Sequence, residues 1–564
     1  MQPVSFQRTL AFAALGALAG CASVPPGHGW ADVGALVDQR SGGEHGWGAV
    51  PDGAADTSAA VSAILSQPLT ADAAVRIALL RNPRMQSEYA RLGIAQADVF
   101  EASRIGNPTL SFTALHHSGE PAKYEGGLSV GFAELLMLPA RKRLAAGEFE
   151  RTQASIGAAV LDLVADTRAA WYAYVGARQV AVMRAAVADA AQASAQLAAK
   201  FLEAGNISAL QCKLEEAAAT QARLQALRAN ADATRARSAL NGLMGLSGEA
   251  AAWSAADRLP APLAVDDAVD ALLPLARRQR LDLDAAQREV ALLEQGVDVT
   301  RRYRLLGKVD LGIAGERETD RSKLYGPSLS LQLPIFNQGQ GAVARASAQL
   351  DAARARARAL DLDIENAVRL GVERVAATRS VAAEYRAALI PQREAIVART
   401  QEQQNYMLVG AFELLLAKQQ EFDAYQGYLE AVRDYWLARV DLQRSVGARL
   451  PGDDTATEST VGPDDILQAP AQPDMAHMHH DAAEATRSGT QAGDDARHAG
   501  PSSPQQKDGA KRPPRHEGHD THDMKDMKDM PRSTAPAAAP PQHDPPADTQ
   551  PEGNPSHDRS GDTP

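Results

Sequence analysis

Fifteen residues, HEGHDTHDMKDMKDM from His516 to Met530, hold three histidines, three methionines and five acidic side chains. His516, His519 and His522 recur at every third position, and Met524, Met527 and Met530 repeat that spacing. A second cluster lies upstream, with Met475, His477, Met478, His479 and His480. Thioethers are soft ligands that select Cu(I) or Ag(I), and imidazole suits copper, zinc and nickel. The mixture favours copper over zinc or cobalt. The carboxylates between the ligands raise the local cation concentration. The bland alternative is a solvated acidic linker with incidental His and Met. Against it, the clusters are local and no aromatic residue dilutes them.

The stretch that carries them differs from the rest of the chain. Residues 453–564 contain 21 Asp or Glu against 10 Lys or Arg, a balance of −11 out of −12 for all 564 residues. The first 452 residues are therefore close to neutral. The same stretch holds 9 of 13 His, 5 of 11 Met and 16 of 32 Pro, and no Phe, Trp or Tyr. Such a composition cannot bury enough apolar surface to offset its ordering entropy, and it predicts a disordered tail. Of the remaining histidines, His116 and His117 fall near a predicted hairpin tip, and His28 and His45 in a Gly-rich stretch. All four read as solvated.

The other end begins MQPVSFQRTLAFAALGALAGCAS. Arg8 gives a short basic start, and Leu10 to Ala19 is an apolar run too short to span a bilayer. LAGC, Leu18 to Cys21, looks like a bacterial lipoprotein signal, with Cys21 the lipidated residue. Ala22 follows the cysteine in place of Asp, which favours the outer membrane. The second cysteine, Cys212, reads as a buried helix residue, and with Cys21 lipidated no intrachain disulfide is possible. No later stretch has eighteen consecutive apolar residues. If the chain crosses a membrane, it must do so by strands closed into a barrel.

The elements that position these ends repeat. FLEAGNISALQCKLEEAAATQARLQALRA from Phe201 and YMLVGAFELLLAKQQEFDAYQGYLEAVRD from Tyr406 align without a gap at an offset of 205. Gly205 then falls on Gly410, Leu210 on Leu415 and Gly242 on Gly447. No Pro occurs between Pro139 and Pro260, and Ala, Leu, Glu, Gln and Arg dominate that interval, so a helix is predicted from about Ala140 to Ala204. The second copy runs from about Gly341 to Val409, with Pro391 as a kink. Helices of this length must pack in a coiled-coil-like assembly. Before each lies a Gly-bounded pair of short, partly alternating runs, at residues 107–119 with 122–136 and 307–318 with 325–336. Each pair reads as a β-hairpin. Helices are predicted ahead of the hairpins, over residues 70–103 and 265–304. Four strands cannot close a membrane barrel, but three chains supplying four each would make twelve.

At this point the chain resembles the TolC-like outer membrane factor family, in its heavy-metal (CzcC/CusC-like) subgroup. Cys21, the hairpin tips at Gly205 and Gly410, and LSLQLPIFNQGQGAVARA from Leu329 to Ala346 carry the resemblance, which covers residues 70–450. It implies a mostly α fold with a β-barrel part: a homotrimer with a twelve-stranded outer-membrane barrel and an α-helical periplasmic tunnel. It also implies a periplasmic adaptor protein and an inner-membrane pump as partners. The tips that would meet the adaptor are Gly205, Asn206, Ile207, Ser208 and Leu210, then Gly410, Ala411, Phe412 and Leu414. The family's acidic gate positions, six and nine residues past the second glycine, are Leu416 and Gln419 here, a departure that puts the acidic gate in doubt and leaves Glu413 and Glu421 as the only substitutes at hand. The physical reason offered for both glycines is a left-handed turn between two long helices.

The implied organisation is a signal peptide over 1–20, an N-terminal extension over 21–69, repeats over 70–255 and 256–452, and the acidic tail over 453–564. The expected function is an exit duct for heavy-metal ions, copper or silver first, with the tail binding metal. No cofactor, nucleic-acid partner or catalytic constellation is expected. Gly339, Gly341 and Ala344 outline a dinucleotide turn, but the long helix after them excludes the compact βαβ unit it needs. Two other readings stay open: the same duct for organic cargo with an incidental tail, and a periplasmic coiled-coil metal-binding lipoprotein without a pore.

Overall fold

The computed structural model describes residues 29–42, 54–116, 118–119, 121–256, 258–455, 460 and 462–467. The chain divides into two units, residues 1–472 and 473–564. The described residues all belong to the first, which is mostly helical with one small antiparallel sheet.

Helix α1 (Trp30–Ser41) and α2 (Ala54–Leu65) precede the first repeat. The single helix expected over 70–103 is two, α3 (Ala71–Arg81) and α4 (Pro83–Ala102). Asn82 between them is extended, with φ −65° and ψ 123°. Its side chain accepts from the Arg84 amide at 2.8 Å and donates to the Leu243 carbonyl at 2.8 Å. Pro83 at the first helical position has no amide to satisfy there. The second repeat has the same joint. Helices α7 (Val269–Gln279) and α8 (Leu281–Tyr303) meet at Arg280, also extended at φ −66° and ψ 111°. Arg280 donates to the carbonyls of Arg444 at 3.0 Å and Ser445 at 3.3 Å. Each repeat thus pins its broken first helix to the C-terminal end of its own last helix.

The hairpins are β1 (Thr109–Leu115) with β2 (Lys123–Gly131), and β3 (Val309–Arg317) with β4 (Lys323–Leu331). They join through β2 and β3 into a sheet of order β1-β2-β3-β4. The strand expected to run to Leu136 stops at Gly131. From Phe132 the chain is already helical, because FAELLM offers helix formers and Glu134 sits in a first turn that favours an acidic residue.

Helix α5 (Phe132–Glu203) has 72 residues, roughly 110 Å at 1.5 Å per residue, and carries Pro139 inside its second turn. It turns into α6 (Ala209–Met244). The second copy is α9 (Gln340–Glu384), a single π-helical turn over Tyr385–Leu389, and α10 (Ile390–Asn405). The kink expected at Pro391 takes the form of that π turn, which absorbs the missing proline donor. The chain then turns into α11 (Ala411–Val446).

Helix α5 packs against α6 on one side and α11 on the other, and α11 packs against α9 and α10. The core gathers Trp171, Tyr174, Trp253, Tyr435 and Trp436. The three indoles are satisfied: Trp171 donates to the Leu69 carbonyl at 2.9 Å, Trp436 to Pro260 at 2.7 Å, and Trp253 to the Asn241 side chain at 2.8 Å. Packed chain also extends past the boundary expected at residue 452. Arg439, 2% exposed, is held by Asp453 at 2.6 Å and Asp267 at 3.1 Å. Thr460 bonds the Leu259 carbonyl, and Ile466 in the short helix Pro463–Leu467 is buried in the core. The counter-charge and the apolar pair Ile466–Leu467 hold a segment that the tail's average composition hides.

Candidate functional site: sheet faces and helical tips

Strand register sorts the sheet's side chains onto two faces. On one, Leu110 lies opposite Leu128, Leu128 opposite Ile313, and Ile313 opposite Pro327. Phe112, Tyr124, Val130, Leu311, Tyr325 and Leu329 share that face, with Phe112 and Tyr124 stacked at 6.1 Å between centroids. Leu110 is 78% and Ile313 67% exposed. The other face is small or polar along most of its length, with Thr109, Ser111, Thr113, Glu125, Ser129, Asp310, Ala314, Glu316, Ser328 and Ser330, and carries Leu115 and Leu324 at the hairpin end. It lines a trough of about 640 Å³. At the hairpin end of this face Lys123 is ringed by Glu316, Glu125 and Glu318, the last two at 3.4 and 3.1 Å. A wall that is apolar outside and polar inside is what a barrel strand presents to lipid and lumen. Within one chain, β1 and β4 each leave an unpaired edge.

The helical tips repeat, but at an offset different from the one read in the sequence. Gly205, at φ 75°, follows the end of α5, and its amide and that of Asn206 bond the Leu202 and Phe201 carbonyls at 2.9 and 2.8 Å. The same pair of bonds closes α10, from Met407 to Gln404 and from Leu408 to Gln403, both at 2.9 Å. Gly205 therefore corresponds to Met407, an offset of 202. Met407, at φ 59°, takes the left-handed position. Gly410 has φ −82° and ψ 162° and is the N-cap of α11, where Ser208 caps α6 through the Gln211 amide. The left-handed role read for Gly410 is thus corrected. The sequence aligned glycine with glycine, whereas the fold aligns helix ends. The helix ends at Gly245 (φ 63°) and Gly447 (φ 71°) obey the same 202 offset, so Gly447 pairs with Gly245 and not with Gly242.

All nine tip residues singled out from the sequence, Gly205, Asn206, Ile207, Ser208, Leu210, Gly410, Ala411, Phe412 and Leu414, lie in these two turns or the first turn of the following helix. Phe412 meets Phe201 edge-on at 6.1 Å and ties one tip to the other. Tyr406, Met407 and Leu408 were missed, although Met407 is 92% exposed. The signal was available, as three apolar residues adjoin a turn with no helix face to bury them. Glu421 is buried beside Lys418 at 2.6 Å. Cys212 is buried in α6. Gly339, at φ 77°, caps α9 with its backbone against Arg304, and the sheet has only antiparallel pairs, so the dinucleotide outline is a turn.

Cys21, His117 and the clusters Met475 to His480 and His516 to Met530 lie outside the described residues. Among the described residues, no group of three or more His, Cys, Asp or Glu is placed to hold a metal ion. No helix among them is long and apolar enough to cross a membrane.

The broken first helix, hairpin and long helical hairpin, present in two copies around a four-stranded sheet, make a fold shared with outer-membrane channels of solved structure. Solved structures bear this likeness. The chain is similar to a membrane protein from Pseudomonas aeruginosa, with a TM-score of 0.58 at 18% identity over 67% of this chain and 92% of that one. It is similar to the outer membrane protein VceC of Vibrio cholerae, with a TM-score of 0.55 at 15% identity over 67% of this chain and 96% of that one. For CusC, described in connection with transmembrane channel formation, the TM-score is 0.51 at 16% identity over 67% of this chain and 92% of that one. No family model and no curated protein matches the sequence.

Proposed function

We propose that the chain is the outer-membrane exit duct of a tripartite efflux system for heavy-metal ions, copper or silver first. The observation that carries the reading is the sheet: four strands, one face apolar, the other polar, and both edges open. Three of the four strands have nine residues, which suits a tilted crossing of a bilayer, and β1 has seven. Three copies joined β1 to β4 make a twelve-stranded barrel with no edge left. The helices support the same ring. Leu214, Leu224 and Leu227 are exposed on α6 at one flank, and Leu362, Leu370 and Val381 on α9 at the other. The alternation of the sheet speaks against a pore-less scaffold, which has no use for an apolar outer face.

In this reading Cys21 carries a lipid, the tips around Gly205, Met407 and Phe412 meet a periplasmic adaptor, and an inner-membrane pump feeds the tunnel. Cargo is read from the Met and His clusters of the tail, whose soft donors suit Cu(I) and Ag(I). The tail would capture periplasmic metal.

The test is survival of a deletion strain on copper, silver, zinc, cobalt, nickel and a drug panel. Complementation uses the full chain or one ending at Gln472, which keeps Asp453 and Ile466 in place. The reading expects copper or silver sensitivity that only the full chain rescues completely. Drug sensitivity alone, rescued equally by both chains, would reject the metal cargo and leave the tail a linker.

A further inference from the structure

Strand register places Arg317 directly opposite Lys323 at the hairpin end of β3 and β4. Both are on the apolar face, in one row with Tyr124 and Ala114. The next row toward the helices holds Phe112 and Tyr325, and the row after it Leu110, Leu128 and Ile313. Two cations thus cap an apolar wall, beside aromatic rings of the kind that line membrane interfaces.

Like charges directly opposite on neighbouring strands destabilise a sheet. The described carboxylates on the neighbouring strands do not relieve this pair. Glu316 is on the opposite face and, with Glu125 and Glu318, is engaged by Lys123. Among the described residues, no ion pair forms at Arg317 or Lys323, and both are exposed. The contrast at the other end of the strands is informative: there Lys308 has Asp310 at 3.6 Å. The uncompensated pair sits where a lipid headgroup would be, one row above the acyl-facing aromatics.

We propose that Arg317 and Lys323 together bind the phosphate of an anionic lipid headgroup in the leaflet that surrounds the hairpin ends. The inference rests on the sheet being membrane-embedded as proposed above. The guanidinium offers a planar fork to two phosphate oxygens and the ammonium a point charge to a third. One phosphate between them turns mutual repulsion into two charge-assisted contacts. Three copies around a barrel would fix a belt of such lipids and set its depth in the membrane.

The test is native mass spectrometry of the full chain in detergent, titrated with diphosphoryl lipid A. Comparators are the same glycolipid with its phosphates removed and inorganic phosphate. We expect the R317Q/K323Q chain to bind diphosphoryl lipid A at least about tenfold more weakly than the original, with R317K between them. The dephosphorylated glycolipid should bind both chains equally, and inorganic phosphate at equimolar concentration should not displace the lipid. Lys123→Gln, on the opposite face, should leave binding unchanged. Equal binding of lipid A by the original and R317Q/K323Q chains would overturn the proposal, as would equal competition by inorganic phosphate. Insertion into vesicles, measured for both proteins, separates the two levels. If the original chain does not insert, the membrane reading fails and this inference with it. If both insert and bind the lipid equally, only this inference fails.

Discussion

Met407 holds a left-handed backbone that a glycine would adopt freely, at a cost of about 1–2 kcal/mol. Its side chain is almost wholly exposed, so nothing among the described residues compensates that strain. An apolar residue kept strained at a helical tip fits a surface that is covered by something else. Substitutions separate the roles of three tip positions. Gly205→Ser should destabilise its turn by about 1 kcal/mol, and Met407→Gly should stabilise the other by a similar amount. Gly410→Ser should be neutral or favourable by a few tenths of a kcal/mol, because serine is a good N-cap where the backbone is already extended. Amide exchange at Asn206 and Leu408 reads these changes directly. A loss at Gly410→Ser equal to that at Gly205→Ser would refute the 202 offset. The tips were legible as tips because glycine, asparagine and serine interrupt long helical runs. Which residue turns left-handed was not, since the second turn spends a methionine where the first spends a glycine.

At the scale of elements, the order helix, hairpin, long helix, turn, long helix could be read twice from composition alone. Propensity summed over a long stretch is informative, and the proline-free interval is unusually long. What escaped were the joints. Asn82 and Arg280 end one helix and begin the next within a single residue, and their anchors at Leu243 and Arg444 are far away in sequence. The π turn before Pro391 is likewise a tertiary feature. Tyr385, its first residue, lays its ring over Gly427 of α11, where a Cβ would lie 2.6 Å from two ring carbons and from the hydroxyl oxygen. Gly427→Ala should therefore cost about 1–3 kcal/mol by overpacking, read as a lower melting temperature. An unchanged melting temperature would show that the tyrosine moves freely and that the π turn is not locked by this contact. Burial also sets the alkaline limit. It pushes Tyr89 up to about 12, and Tyr172, Tyr428 and Tyr435 above the ordinary tyrosine range. The folded chain keeps protons that the unfolded chain releases above about pH 10, so stability should fall as pH rises from about 10 through 12. A pH series of thermal unfolding checks this, and a flat profile from pH 9 to 12 would contradict it.

For the whole molecule, one chain presents a wall with two open edges, which the proposed duct closes with further copies. Neighbouring residues on β3 test the two faces. Ile313→Arg places a charge on the apolar face near mid-strand and should cost about 2–4 kcal/mol of insertion free energy. Ala314→Arg points to the polar face, between Gly127 and Gly326, and should leave insertion intact while changing conductance. Similar insertion defects in both variants would mean that the faces are not lipid and lumen. The most direct measurement is conductance of the purified full chain in a planar bilayer, with its mass in detergent determined in parallel. A water-filled channel from a species of three chains is the expected result. A monomer that leaves the bilayer non-conducting would contradict the duct itself.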